Sequence, residues 1–287
     1  MLRSLAVLSI VSIAACSADD TAPPAAAASD AAPTTFGGDR PVEVRVPSGY
    51  DASRPAPLLL VLHGYGAGGT FNDIYMKLTR IADAKGFFYA SPNGTRDKND
   101  RLFWNATESC CNFDQLDVDD VGYLSSLVEE IRKAYSIDPK RIFVVGHSNG
   151  GYMANRLACE RADLFAAAVS WAGANFDDPA RCRPSGPIGY LQLHGTSDGM
   201  VPYAVAEPTV AGWAKANGCA PALVPTGATL RVNADSPGPD TKVARHDGCT
   251  ANGAAELWPV EGAGHIFTFS PEAVDAIWSF LDAHAKP

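Results

Sequence analysis

Gly146-His147-Ser148-Asn149-Gly150 is the stretch of this chain best suited to do chemistry. It fits G-x-S-x-G, the sharp strand-to-helix turn that holds a serine hydroxyl out for attack. The glycines answer a steric need, because side chains on either flank of such a turn would collide with neighbouring backbone. The apolar run RIFVV (141–145) stands before the turn and the helical pattern YMANRLACERA after it, as the motif requires. Ser148 would then sit at a helix N-terminus, where N–H groups and the dipole favour developing negative charge.

A serine hydroxyl needs a base, and six histidines compete: 63, 147, 194, 246, 265 and 284. His147 adjoins the serine, so its ring should point away from the face of attack. His63 and His194 each close an apolar run in a His-Gly pair and read as loop braces. His246 falls in a hairpin, and His284 near the end of the chain. His265 stands in the glycine-rich loop EGAGHIF after the last strand, where the chain order Ser…Asp…His places the base. The acid should follow a strand lying between them. Asp198 in HGTSDGMVP does so, with Asp177 and Asp178 as rivals that could equally cap helices or carry loop charge. Its task would be to hold the imidazole tautomer and stabilise the imidazolium. Two backbone N–H groups must receive the oxyanion. One belongs to Asn149, and the other to Tyr65, or alternatively Gly66, in the loop His63-Gly64-Tyr65-Gly66.

The elements that must position these groups are legible as apolar runs alternating with helical patterns. Strands are expected at 57–64, 86–94, 141–151, 164–174 and 187–198, and helices at 117–135 and near 204–217. A hairpin (KVARHDGC with AAELWPV) and a final helix opened by Pro271 close the chain. This is an α/β architecture with a mostly parallel central sheet flanked by helices. No GxGxxG or GxxxxGK[ST] follows any strand, which argues against a nucleotide site. About a dozen residues separate strand 164–174 from strand 187–198, too few for a large lid.

Composition narrows the setting. The 287 residues are 46% hydrophobic, enough for a sizeable core, and the net charge is −9 with no basic cluster. Electrostatics therefore disfavour nucleic acid as a partner class. Residues 1–15 read as a signal peptide, Arg3 leading a short apolar run, with small residues before Cys16. Ile13-Ala14-Ala15-Cys16 resembles a lipobox, so Cys16 is expected to be lipidated and to provide the sole membrane attachment, the alternative being an ordinary signal peptide with a chance cysteine. Residues 16–40 read as a tether, leaving 41–287 as one catalytic domain. Six cysteines remain, and pairing is expected in an exported chain. Cys159 with Cys182 and Cys219 with Cys249 are the expected bridges; adjacent Cys110 and Cys111 are either a vicinal disulfide or two thiols. No Cys/His grouping has metal-site spacing.

Together LHGYGAGG, WNATESCC, DVDDVGYL, IDPKRIFVVGHSNGGYMANRLACE, LQLHGTSDGMVPY and GAGH resemble, in order, the extracellular polyhydroxybutyrate depolymerase/feruloyl esterase family. That family includes LpqC-type lipoproteins and relatives of carbohydrate esterase family 1. The resemblance covers about residues 42–282. It implies an α/β-hydrolase fold with neither metal nor organic cofactor, and Ser148, Asp198 and His265 as triad. It also implies Tyr65 and Asn149 as oxyanion donors and Trp104 as a wall of the substrate cleft. One departure bears on substrate: where relatives continue the histidine as His-Thr-Trp-Pro, this chain has His265-Ile266-Phe267-Thr268. The expectation is a bacterial exported serine ester hydrolase acting on short-acyl, aromatic or hydroxyalkanoate esters. A non-catalytic surface lipoprotein and a serine peptidase of the same fold are the alternatives.

Overall fold

The computed structural model describes residues 32–287. The expected signal peptide and Cys16 lie outside the described residues. Six parallel strands form the centre of a ten-stranded sheet. They are β3 (Ala56–Leu62), β4 (Phe88–Ala90), β7 (Ile137–His147), β8 (Ala167–Trp171), β9 (Gly189–Gly195) and β12 (Ala254–Val260). In space they run β4-β3-β7-β8-β9-β12. Antiparallel strands extend both edges: β1 (Thr35–Phe36) and β2 (Val42–Arg45) on one side, β11 (Thr241–His246) and β10 (Leu223–Leu230) on the other. A separate two-stranded ribbon, β5 (Thr95–Arg96) with β6 (Leu102–Phe103), follows β4.

The central strands read as continuous apolar runs because both faces are covered. Leu58, Leu60 and Leu62 of β3 pack with α3 (Asp120–Ala134), α4 (Asn149–Glu160) and α5 (Ala206–Ala216). Leu59 and Val61 pack the opposite way, into a cluster holding Tyr75 of α1 (Gly69–Tyr75) and Ile277 and Trp278 of α6 (Pro271–Ala283). A short helix, α2 (Ala82–Lys85), leads into β4. The parallel strands all deliver their carboxyl ends to one edge, so the loops after β3, β7, β9 and β12 meet there. Asp119 caps α3 by accepting from Gly122 N–H, in keeping with the acidic start of that helix.

Some boundaries differ from the sequence reading. β7 begins at Ile137, because Ile137 pairs with Ala56 across the sheet. The expected strand 86–94 shortens to β4, and its remainder leads into the β5–β6 ribbon. β10 has no counterpart among the expected strands: its residues are largely exposed, so no apolar alternation marks it. Residues 35–40, expected as part of the tether, pack onto the domain instead. Phe36 is buried, Gly37 N–H donates to Glu130 at 2.9 Å, and Arg40 pairs with buried Asp120 at 2.5 Å. Cys159 is joined to Cys182 and Cys219 to Cys249, as expected, and Cys110 to Cys111 as a vicinal disulfide.

Candidate active site

Ser148 occupies the junction of β7 and α4 with φ 55° and ψ −120°, a backbone conformation that non-glycine residues rarely adopt. Its N–H donates to the Trp171 carbonyl at 2.8 Å, fixing the turn against β8. The glycines of the elbow are sterically compelled. A Cβ on Gly146 would lie 1.9 Å from the Gly150 carbonyl oxygen, and one on Gly150 would lie 2.2 Å from that of Leu62.

Asp198 follows β9 and is saturated with donors. Its Oδ1 accepts N–H groups from Met200 (2.8 Å) and Val201 (2.9 Å). Its Oδ2 accepts Nδ1–H of His265 at 2.7 Å. Burial pushes the Asp198 carboxyl up, but the bonds from His265, Val201 and Met200 outweigh it and hold it below the usual carboxylate range. His265 lies in the loop after β12, and its second ring nitrogen is left as the basic one. Asp177, a rival for the acid, sits exposed and accepts from Ser109.

Three further histidines stand around these groups, all buried. His147 Nε2 faces the carbonyl oxygen of His265 at 2.9 Å and so carries the hydrogen; Tyr75 Oη approaches Nδ1 at 3.2 Å. Burial first, then the neighbouring His265, pushes His147 down to about 3. His194 does brace a loop, its Nε2 meeting the Val201 carbonyl at 2.9 Å. The same nitrogen is 3.3 Å from Asp198 Oδ2, a contact whose only sequence signal is the four-residue spacing in HGTSD. His63 accepts from Gly94 N–H at 2.9 Å, and burial pushes it down to about 4.

The loop after β3 runs beside Ser148: a Cβ on Gly64 would come within 3.3 Å of the serine Cβ. Gly66 N–H donates to the Leu102 carbonyl at 2.8 Å and is therefore engaged. Tyr65 N–H has no acceptor among the described residues, which favours Tyr65 over Gly66 as donor. The Tyr65 hydroxyl donates to Asp97, and its ring meets Phe113 edge-on at 5.3 Å.

Trp104 corrects an expectation. It is 0% exposed and walls no cleft. Its indole N–H donates to the His63 carbonyl at 3.0 Å, and its ring lies against that of His63. The acceptor for this buried indole comes from a different strand, so position in sequence could not reveal it. In the departing tail, Phe267 is buried against Trp171 while Ile266 is 57% exposed.

A carboxylate-held imidazole and a hydroxyl on a strained elbow, brought to one sheet edge, are groups that can support acyl transfer. Comparisons with known proteins fit that geometry. In sequence the chain is 28% identical to feruloyl esterase B of Piromyces equi over 244 residues, 79% of this chain and 42% of that protein. It is 26% identical to feruloyl esterase D of Neurospora crassa over 242 residues, 80% of this chain and 74% of that one. In structure it matches an acetyl xylan esterase from Aspergillus awamori with TM-score 0.65 and 16% identity, over 85% of this chain and 94% of that one. The chain is a feruloyl esterase-like α/β-hydrolase. It spans about two-fifths of the length of the Piromyces protein. Residues 112–175 of this hydrolase also match the prolyl oligopeptidase family, a stretch holding the Ser148 elbow but ending before Asp198 and His265.

Proposed function

We propose that this hydrolase cleaves carboxylic esters through Ser148, His265 and Asp198. His265 takes the Ser148 proton as the hydroxyl attacks the ester carbonyl, and Asp198 holds the resulting imidazolium. Tyr65 and Asn149 N–H groups receive the oxyanion. His265 then protonates the departing alcohol, and water cleaves the acyl-enzyme by the reverse relay. The observation that carries this reading is the 2.7 Å contact from His265 Nδ1 to Asp198 Oδ2 beside the strained Ser148 elbow. No step calls for a metal or organic cofactor.

The substrate we favour is a soluble aromatic or short-acyl ester. Among the described residues, the large exposed apolar side chains are Phe71, Ile74, Phe113, Met200 and Ile266. Phe113 leans on Tyr65, Met200 adjoins the Asp198 turn and Ile266 follows His265, so the mouth of the site offers apolar surface to an acyl or phenolic group. The feruloyl esterase and acetyl xylan esterase relatives agree with such esters; a hydroxyalkanoate ester is the less supported option. Three disulfides suit export, and Cys16 is the proposed lipid attachment.

A fluorophosphonate should label Ser148 covalently, and Ser148→Ala should abolish labelling and lower p-nitrophenyl acetate turnover by about 10⁴ or more. Retention of a tenth of wild-type turnover would overturn the assignment. The prolyl oligopeptidase match favours a second reading, cleavage of peptides. Turnover of proline-containing peptide amides exceeding that of methyl ferulate would select it.

A further inference from the structure

The two proposed oxyanion donors belong to different segments, Tyr65 after β3 and Asn149 at the start of α4. Each must be 2.7–3.1 Å from one oxygen for the pair to work. We infer that the Asn149 side chain and Trp104 form a tie that sets the spacing of these donors, both acting as positioning residues. This rests on the ester-hydrolase reading above.

The tie runs through defined atoms. Asn149 is fully buried and its amide engages the Trp104 backbone twice. Its Oδ1 accepts Trp104 N–H at 2.7 Å, and its Nδ2 donates to the Trp104 carbonyl at 2.9 Å. The indole of Trp104 then donates to the carbonyl oxygen of His63 at 3.0 Å. His63 stands two residues before Tyr65, and its own ring is held by Gly94 N–H. The next residue pair along, Gly66 N–H to the Leu102 carbonyl at 2.8 Å, anchors the far side of Tyr65 to the same β6 segment. Tyr65 is thus fixed on both sides by the stretch 102–104, and that stretch is clamped by the residue whose N–H is the other donor.

The pattern exceeds what folding alone requires. The strands β3 and β7 are already paired from Leu58–Ile142 to Leu62–Gly146. Beyond that register the two loops share no ladder, and Trp104 with Asn149 supplies the missing connection. An asparagine after the serine serves two purposes: its main chain is a donor, and its side chain places the partner donor. A Trp104 indole at this position acts through its N–H, not through a face offered to substrate.

The test uses the full chain with p-nitrophenyl acetate and methyl ferulate. Trp104→Phe keeps an aromatic ring and both main-chain bonds to Asn149, and removes the indole N–H together with part of the buried ring volume. Its kcat should fall about tenfold on both esters, with KM changed less than threefold, because donors displaced by the change bind the transition state and not the ground state. Asn149→Ala keeps its own N–H and should lose more, within the 10²–10³ expected for a lost donor. The double variant should lose no more than Asn149→Ala, since both break one connection. Full kcat in a folded Trp104→Phe, a loss confined to KM, or multiplicative losses in the double variant would each overturn the tie. Should Asn149→Ala fail to fold, Trp104→Phe decides alone. A wild type without ester turnover overturns the underlying reading as well. An active wild type with an inert Ser148→Ala upholds that reading, so that any failure then falls on the tie by itself.

Discussion

The carbonyl of His265 accepts a hydrogen bond from Nε2 of His147, the residue immediately before Ser148, across 2.9 Å. The loop carrying the proposed base is thereby fastened to the shoulder of the elbow carrying the proposed nucleophile. The His147 ring also packs against Trp171, with centroids 4.2 Å apart and the planes tilted by 40°, which supports the fastening.

Replacing His147 by Phe keeps an aromatic ring against Trp171 and removes the bond. The freed carbonyl of His265 is buried, so stability should fall by about 1–3 kcal/mol. Ester turnover should fall roughly tenfold as the His265 loop loosens. Urea unfolding and kcat on p-nitrophenyl acetate check the two effects; an unchanged kcat would show that the loop is held by other contacts.

Acid should weaken the fold well before the carboxylates titrate. His147 and His63 have folded values near 3 and 4, both depressed from 6.5 by burial. Below pH 6.5 the unfolded chain takes up protons that the folded chain refuses, so their stabilisation is complete above 6.5 and lost as pH falls. Between about 6 and 4 the two together should cost up to about 3 kcal/mol per pH unit. Asp198, held low, adds its own loss only below the ordinary carboxylate value. Unfolding free energies at pH 7.5, 6, 5 and 4 measure the slope, and His147→Phe should roughly halve it.

The glycines of the two site loops should differ sharply in tolerance. Gly150→Ala drives a Cβ into the Leu62 carbonyl and should cost about 2–4 kcal/mol with loss of activity. Gly264, next to His265, has open space at its Cβ position and an ordinary φ, so Gly264→Ala should leave the melting temperature within a degree or two. Thermal melts of both variants suffice, and equal damage at the two positions would contradict the packing described.

The Cys219–Cys249 bridge spans 30 residues and the Cys159–Cys182 bridge 23. Chain entropy gives each about 3–4 kcal/mol of stabilisation. Cys219→Ser or Cys159→Ser should lower the melting temperature accordingly in oxidising buffer. Non-reducing peptide maps should return these two pairs, and a peptide joining Cys110 to Cys159 would refute them.

What the sequence makes legible is local. The elbow, the Asp198 turn and the His265 loop each carry their signal within a few residues, and their chain order supplies the rest. Trp104 escapes such a reading because burial of an indole depends on His63 and Asn149, which lie 41 and 45 residues away. Arg40 looks like part of a tether because its partner, Asp120, lies 80 residues on. The exposed edge strand β10 offers no apolar alternation, since its central side chains face solvent. Position along a strand is legible; the partners that meet a side chain from elsewhere are not.

The four donors around Asp198 make its pocket a keyhole with a fixed polarity. Two main-chain N–H groups face Oδ1, and an asparagine could enter only with its amide oxygen toward them. Its NH₂ would then confront His265 Nδ1, which could accept that bond only by shifting its own hydrogen to the far nitrogen. The ring would stay where it is, with its proton on the wrong side to serve as a base. Asp198→Asn would leave the shape of the site intact and strip it of its reactivity.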